Sequence, residues 1–367
     1  MAAHPRVGIV AEGLRGAGHE VRECNAPLGF DTAERVRMLA QPWRVPALGV
    51  RLARCWVRLA LGARRGPRPD VVVVGYLGHF DVHLARLLFG RRRVVLDHLI
   101  GAADTARDRQ VSGGLRQPLL RAVDAAALSA ASVVMVDTEE HRETLPAKYR
   151  EKAVVVPVGA PGEWFEQAPG HGAWPRHGSE QEGDAGPLRV VFYGLFTPLQ
   201  GAPTIGTAIA RLAGRSVEFT MIGGGQDKAE TLRNAGSAAA VTWLDWVPAD
   251  ELPRLVAAHD VCLGIFGTGP KALRVVPNKV YQGAAAGCAV ITSDTAPQRR
   301  ALGDAAMYVP PGDAEALAYA IAELVEDPDK LKELRAAASR AARERFTPEQ
   351  IVQPLPAKLD ELGERGG

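Results

Sequence analysis

The sequence predicts an α/β protein built from two doubly wound domains that face each other across a cleft. Three observations carry this. The chain has 367 residues, too many for one ordinary core and suited to two α/β units. Short apolar runs, rich in valine and mostly free of interior charge, recur with helical stretches between them, as in parallel sheets covered on both faces. Between two sets of such runs lies Gln167–Gly186, dense in Gly, Pro and charge and without periodicity, which reads as a linker.

The first set comprises Glu20–Cys24, Asp70–Tyr76, Arg93–Asp97, Ser132–Asp137 and Ala153–Val158. The second comprises Leu188–Tyr193, Val217–Ile222, Val241–Leu244, Asp260–Phe266, Ala289–Ser293 and Ala306–Val309. Arg22, Glu23, Arg189 and Glu218 are the charged exceptions and suit strand ends or sheet edges. The expected domains are an N-terminal unit over 1–166, the linker 167–186, a C-terminal unit over 187–345 and a helical tail over 346–367.

A doubly wound half usually begins with its central strand and a glycine-rich turn. Here Ile9, Val10, Gly13, Leu14 and Ala17 fall at helical spacing, and Gly18 suits a C-cap. The spacing therefore predicts a helix first; the competing reading makes Arg6–Val10 a strand. With a helix first, the recorded start is expected to lie inside the first βα unit, leaving that domain short of one buried strand.

A formal net charge of +2 lacks the basic excess of a dedicated nucleic-acid binder. Cys24, Cys55, Cys262 and Cys288 form no CxxC pair and read as small buried hydrophobes in a reducing compartment. No basic-then-apolar leader and no long apolar run is present, so the expectation is a cytoplasmic protein. Between Arg35 and Arg68, Arg37, Arg44, Arg51, Arg54, Arg58, Arg64, Arg65 and Arg68 interleave with Trp43, Leu48, Leu52, Trp56, Leu59 and Leu61. Over 49–61 the spacing is that of an amphipathic helix. It fits either peripheral contact with an anionic membrane at its inner face, or a half-buried helix with a solvated arginine face.

In open α/β sheets, ligands bind beyond the carboxyl ends of strands. After Leu188–Tyr193 comes a turn, Gly194 to Gly201, that leads into a helix near Pro203. Its glycines would let backbone amides approach an anion, although no GK[ST] follows. Gly223-Gly-Gly225 has the same character. The densest cluster is Gly264–Gly283, which contains Lys271, Arg274 and Lys279 and runs into a small-residue helix opened by Pro277-Asn278. First-turn amides and cations that converge there suit a diphosphate. A solvated basic loop is the bland alternative, which Phe266, Val275 and Val276 disfavour.

This cluster resembles a known family. The stretch RVVPNKVYQ (274–282) followed by GAAAGCAVI is similar to the donor-site motif of retaining GT-B glycosyltransferases of family 4, E-x7-E running into an Ala-rich helix and a buried strand. "MIGGGQ", "LDWVPADEL", "AAHDVCLGIF" and "VPPGDAEALAYAIAEL" follow the family's order across roughly 188–325, whereas the first half resembles it only through "DVVVVGYLG" and "VVVPVGA". The resemblance implies a hexosyltransferase-type enzyme that uses a nucleotide-sugar donor as substrate, without cofactor or metal. Its acceptor would be a glycan, a lipid-linked saccharide or a small molecule. It further implies that backbone groups around Trp246 and Val247 meet the base, and that Gly194, Gly267 and Thr268 line the phosphates and sugar; Gly201, Phe266, Lys271, Arg274, Asn278, Lys279 and Gln282 complete the candidate donor residues.

The departures are specific. Both family glutamates are replaced, by Arg274 and Gln282; Gln282 still donates and accepts toward hydroxyls, whereas Arg274 cannot accept. The family's basic pair in the glycine turn is absent, with Phe196 and Gln200 at or near those places, and the opposite loop is expected to supply the charge. His98 follows the strand Arg93–Asp97 and matches a family histidine beside the donor sugar; capping of the next segment is the plain alternative. His79 is a second choice, toward the acceptor, and Asp104 and Asp108 take no clear role. In the retaining mechanism so implied, the leaving diphosphate takes the acceptor proton while the protein stabilises developing charge. Asp327-Pro-Asp329 reads as helix punctuation, and no histidine pair has helical metal spacing.

Three rival readings remain. Gly267-x-Gly-x-x-Ala272, with Asp294 further on, fits a dinucleotide fingerprint, although Pro270 sits where a helix should open. A GT-B sugar epimerase would need acid/base carboxylates in the cleft. A nucleotide-sugar-binding or regulatory module with a degenerate donor site would bind without turnover.

Overall fold

The computed structural model describes residues 5–27, 45–76, 78–99, 101–104, 116–167, 186–237 and 240–364, apart from the side chains of 45–48, 92, 116 and 361–364. The expected linker from 168 to 185 and Asp108 lie outside the described residues, as does the arginine-rich stretch before residue 45.

Two parallel sheets organise these residues. The first holds β1 (Val72–Val74), β2 (Val94–Asp97), β3 (Val133–Val136) and β4 (Ala153–Val155) in the order β1-β2-β3-β4. The second holds β5 (Leu188–Tyr193), β6 (Val217–Ile222), β7 (Ala240–Leu244), β8 (Val261–Leu263), β9 (Ala289–Ser293) and β10 (Met307–Val309). Its order is β10-β9-β8-β5-β6-β7. The chain winds outward from β5 to β7, then returns to place β8 on the other side of β5. That reversal is a topological switch point, where α/β sheets open a crevice at their carboxyl ends.

Alternation along the strands explains the layering, since successive side chains point to opposite faces. In the first sheet, Val94, Leu96, Val134 and Val136 join the core beneath the helices Asp81–Phe89 and Arg116–Ala130. Val95, Val133 and Met135 face the other way, against Ile9 and Val10 of the opening helix and Ile351, Val352 and Leu355 of the chain's end. In the second sheet, Val190 and Phe192 serve one core and Val191 and Tyr193 the other.

The opening residues form the helix Pro5–Gly16, with Gly18 at φ 88°, as the helical spacing predicts. Arg6 is fully buried; it donates to Asp97 at 2.8 and 2.9 Å and to the Pro157 carbonyl at 3.0 Å, tying the helix to the end of β2. Gly13 permits close packing on the helix Pro348–Val352, since a Cβ there would stand 2.0 Å from the Pro348 carbonyl oxygen. The helical tail is therefore part of the first sheet's cover.

Two expectations are corrected. Glu20–Cys24 is not a strand but coil. Arg22 and Glu23 turn to polar partners there, the Pro67 carbonyl and Arg15, so the segment lacks an apolar face to bury. Cys24 is accordingly exposed, while Cys55, Cys262 and Cys288 are buried; all four are free thiols. The amphipathic pattern over 49–61 does form a helix, Val45–Ala63, with Cys55 inward and Arg51, Arg54 and Arg58 outward. Among the described residues, no helix is long and apolar enough to cross a membrane.

Candidate active site

The loops after β5 and β8 meet at the switch point of the second sheet. Gly201 adopts φ 65°, and a Cβ there would stand 2.4 Å from the Phe266 carbonyl carbon. Gly267 lies against the same turn, 2.3 Å from the Pro198 carbonyl oxygen by the same measure. Only glycine lets the two backbones come this close. Gly223 and Gly225 abut Gly194 and Phe196 in the same way, which makes them packing residues of the turn.

The turn differs from the expected amide cradle. The amides of Gly194, Phe196, Thr197, Gln200 and Gly201 donate to Ile222, Gly224, Leu195 and, for the last two, Thr197 carbonyls. What reaches into the turn instead is a cation. Lys279, in the first turn of the helix Asn278–Ala285, is only 4 % exposed and donates from Nζ to Gln200 Oε1. Its Nζ lies 3.7 Å from the centroid of the Phe192 ring, and 3.2 Å from where a Gly194 Cβ would stand. Burial pushes the ammonium down to about 7. Of the opposite loop's cations, Lys279 thus stands in a turn whose own sequence has none, while Arg274 pairs elsewhere.

The other donor residues divide. Gln282 is buried and accepts from the Tyr193 hydroxyl at 3.0 Å. Asn278 and Lys271 are half-buried on the basic loop, and Thr268 is exposed. Trp246 is 75 % exposed and Val247 half-buried after the edge strand β7. Phe266 is corrected: its ring is fully buried in the core, its amide donates to Gln200, and its carbonyl accepts from Gly312. Its ring supports the turn from within the core. Arg274 points away from the glycine turn, toward Asp104 after β2, with Nη2 3.1 Å from Oδ2. The segment Ala272–Arg274 is a short 3-10 turn, which removes the helix that a dinucleotide fingerprint requires.

The first sheet faces this loop. The Thr138 hydroxyl donates to the Arg274 carbonyl at 2.6 Å, and Arg300 pairs with Glu140 through two bonds of 2.9 and 2.8 Å. His98 is buried directly after β2, with ring centroids 5.7 Å from His79 and 5.5 Å from His141. Burial, then the neighbouring imidazoles, hold His98 well below the ordinary histidine value. His79 Nε2 lies 3.0 Å from Asp124 Oδ1, and His141 Nδ1 is 2.7 Å from Asp137 Oδ1. Thr138, Glu140, Asp124 and His141 escape sequence reasoning because each stands alone in sequence, without motif spacing. Only the position of Thr138, after a buried valine run and before Glu139 and Glu140, signals a helix cap.

Residues 187–327 match the sequence family described as "Glycosyl transferases group 1". A search of curated proteins finds no match. Among solved structures, HepE of Anabaena in complex with UDP is 15 % identical, with a TM-score of 0.62 over 84 % of this chain and 83 % of that one. Sucrose-phosphate synthase of Thermosynechococcus elongatus is 18 % identical, with a TM-score of 0.67 over 100 % and 95 %. A trehalose-6-phosphate synthase analysed for enzymatic glycosyltransfer with retention is 14 % identical, with a TM-score of 0.61 over 86 % and 79 %. The fold is that of the GT-B glycosyltransferases, two Rossmann-like units in one chain. Within that fold, residues 187–327 are the part similar to the group 1 glycosyl transferases.

Proposed function

We propose that the protein moves a hexose from a nucleoside-diphosphate sugar to an acceptor hydroxyl with retention of anomeric configuration, in the manner of family 4. The observation that carries this reading is Lys279, a buried cation held against Gly194 and Gln200 at the switch point. A buried ammonium without a carboxylate partner gains most from a ligand that brings negative charge. In this reading the diphosphate meets Lys279, with Lys271 and the first turn of Asn278–Ala285 beside it, rather than a divalent cation. The ribose lies toward Gln282, the base toward Trp246 and Val247, and the sugar toward His98, with His79 on the acceptor side. The leaving diphosphate takes the acceptor proton, and Lys279 stabilises the charge as it develops.

Support for a uridine nucleotide comes from HepE, which has been solved with UDP and with UDP-glucose. Support for retention comes from the trehalose-6-phosphate synthase. The reading divides the chain into 1–166, 187–345 and a tail over 346–367, and places it in the cytoplasm. Peripheral membrane contact through the helix Val45–Ala63 is favoured by Val50, Val57 and Leu61, which are exposed beside the arginines. Calorimetric titration with UDP, followed by an assay for sugar release from UDP-glucose in the presence of candidate acceptors, tests the reading. Absence of affinity for any nucleoside diphosphate sinks it, and binding without turnover moves it to the regulatory module.

A further inference from the structure

At the carboxyl end of the first sheet, three elements bring together a group that lies apart from the Lys279 site, two of whose members, His98 and His79, the proposed function sets toward the sugar and the acceptor. His79 comes from the loop after β1, His98 from the end of β2 and Asp124 from the helix Arg116–Ala130. The two imidazoles are buried, 7 % and 5 % exposed. One candidate ligand atom of each residue lies within 4.8 Å of those of the other two. Asp124 is fixed in place because its two oxygens accept from the amides of Ala102 and Ala103 at 2.9 and 3.1 Å.

His98 is the decisive member. Neither of its ring nitrogens has a hydrogen-bond partner among the described residues, although the side chain is almost wholly buried. Buried polar atoms are normally satisfied, so a ring with two unmet nitrogens points to a ligand. Two imidazoles and a carboxylate form a donor set suited to zinc, with a fourth position left for water or a substrate oxygen. The His79 Nε2–Asp124 Oδ1 distance of 3.0 Å is close to the edge of a zinc tetrahedron, which is roughly 3.3 Å for metal–nitrogen bonds of about 2.0–2.1 Å.

We propose that His79, His98 and Asp124 form a transition-metal site for a single divalent ion of the zinc type. The cluster is built entirely on the first sheet, whereas the diphosphate contact rests on Lys279 in the second, so the two are tested separately; an ion held here makes His98 and His79 metal ligands, with the open position facing sugar or acceptor.

Cobalt(II), added to chelator-treated protein, is the probe. The expected result is one ion per chain with the visible absorption of a four- or five-coordinate site, without a thiolate charge-transfer band, and displacement by zinc. His79→Gln and His98→Gln should each weaken cobalt binding by at least roughly tenfold, with circular dichroism showing an intact fold. Lys279→Met should leave cobalt stoichiometry at one whatever it does to nucleotide affinity. If a histidine variant does not fold, anomalous scattering from zinc-soaked crystals of the unaltered protein should place a peak between His79 and His98. A thiolate band, a peak elsewhere, or cobalt affinity unchanged in both folded histidine variants overturns the proposal.

Discussion

Arg274 Nη2 stands 3.1 Å from Asp104 Oδ2, so the position where the resembled family carries its first glutamate is here a cation that reaches across to the other sheet. The Thr138–Arg274 bond fastens the same residue through its backbone. The basic loop of the second sheet is thus held to the first.

That pair is partly exposed, 24 % and 31 % for the two side chains. Pairs of this kind contribute about 0–1 kcal/mol, so Asp104→Asn should shift the unfolding free energy by no more than that. Arg274→Glu would set two carboxylates against each other. It should widen the cleft by small-angle scattering and raise the KM for donor, and the double charge swap Asp104→Arg, Arg274→Glu should restore both. A single variant with unaltered scattering and KM would remove the latch from the account.

Lys279 sets a pH dependence. Its ammonium is pushed down to about 7 by burial, against 10.5 in the unfolded chain. Between those values the unfolded state binds more protons, so stability rises with pH across this window, and the penalty is complete below about 7. Gln200 Oε1 and the Cys262 thiol are the groups it faces. Urea unfolding at pH 7 and 9.5 should show the rise in the wild type and not in Lys279→Met.

The same residue should couple nucleotide binding to protons. A diphosphate favours the charged form, so UDP binding at pH 8 should take up close to one proton. Affinity should then fall by up to about tenfold per unit above the free-protein pKa. Calorimetry in buffers of different ionisation enthalpy measures this uptake. An equal uptake by Lys279→Met would assign the proton elsewhere.

Gly201→Ala should be destabilising. The left-handed backbone alone costs a non-glycine residue about 1–3 kcal/mol, and the new Cβ would stand 2.4 Å from the backbone of Phe266. The loops after β5 and β8 would part, so UDP affinity should fall along with the melting temperature. A variant as stable as wild type would contradict the close approach.

Arg6→Leu tests the buried pair that pins the first helix. Removing one partner from such a pair costs about 3–5 kcal/mol, because the other charge is left uncompensated. Asp97 is already raised by burial despite Arg6. A loss below about 1 kcal/mol in chemical denaturation would argue against this anchor.

Periodicity in the sequence sufficed for the strands of both sheets except Glu20–Cys24, and for the opening helix, because apolar alternation and helical spacing are local properties. It also placed the glycine turn and the basic loop at strand ends, where ligands bind in this class of sheet. The direction each cation takes was not legible. Lys279 turns into the glycine turn and Arg274 toward Asp104, although only four residues separate them.

The sequence by itself determined the two-sheet architecture and the loops that hold the candidate site, since burial patterns are written into nearest neighbours along the chain. Only the tertiary structure decided that Phe266 is core, that five of the turn's amides donate to backbone carbonyls of the turn and its neighbours, and that His79, His98 and Asp124 meet. Those outcomes depend on which distant backbones approach within a few ångströms, and no spacing along the chain encodes that distance.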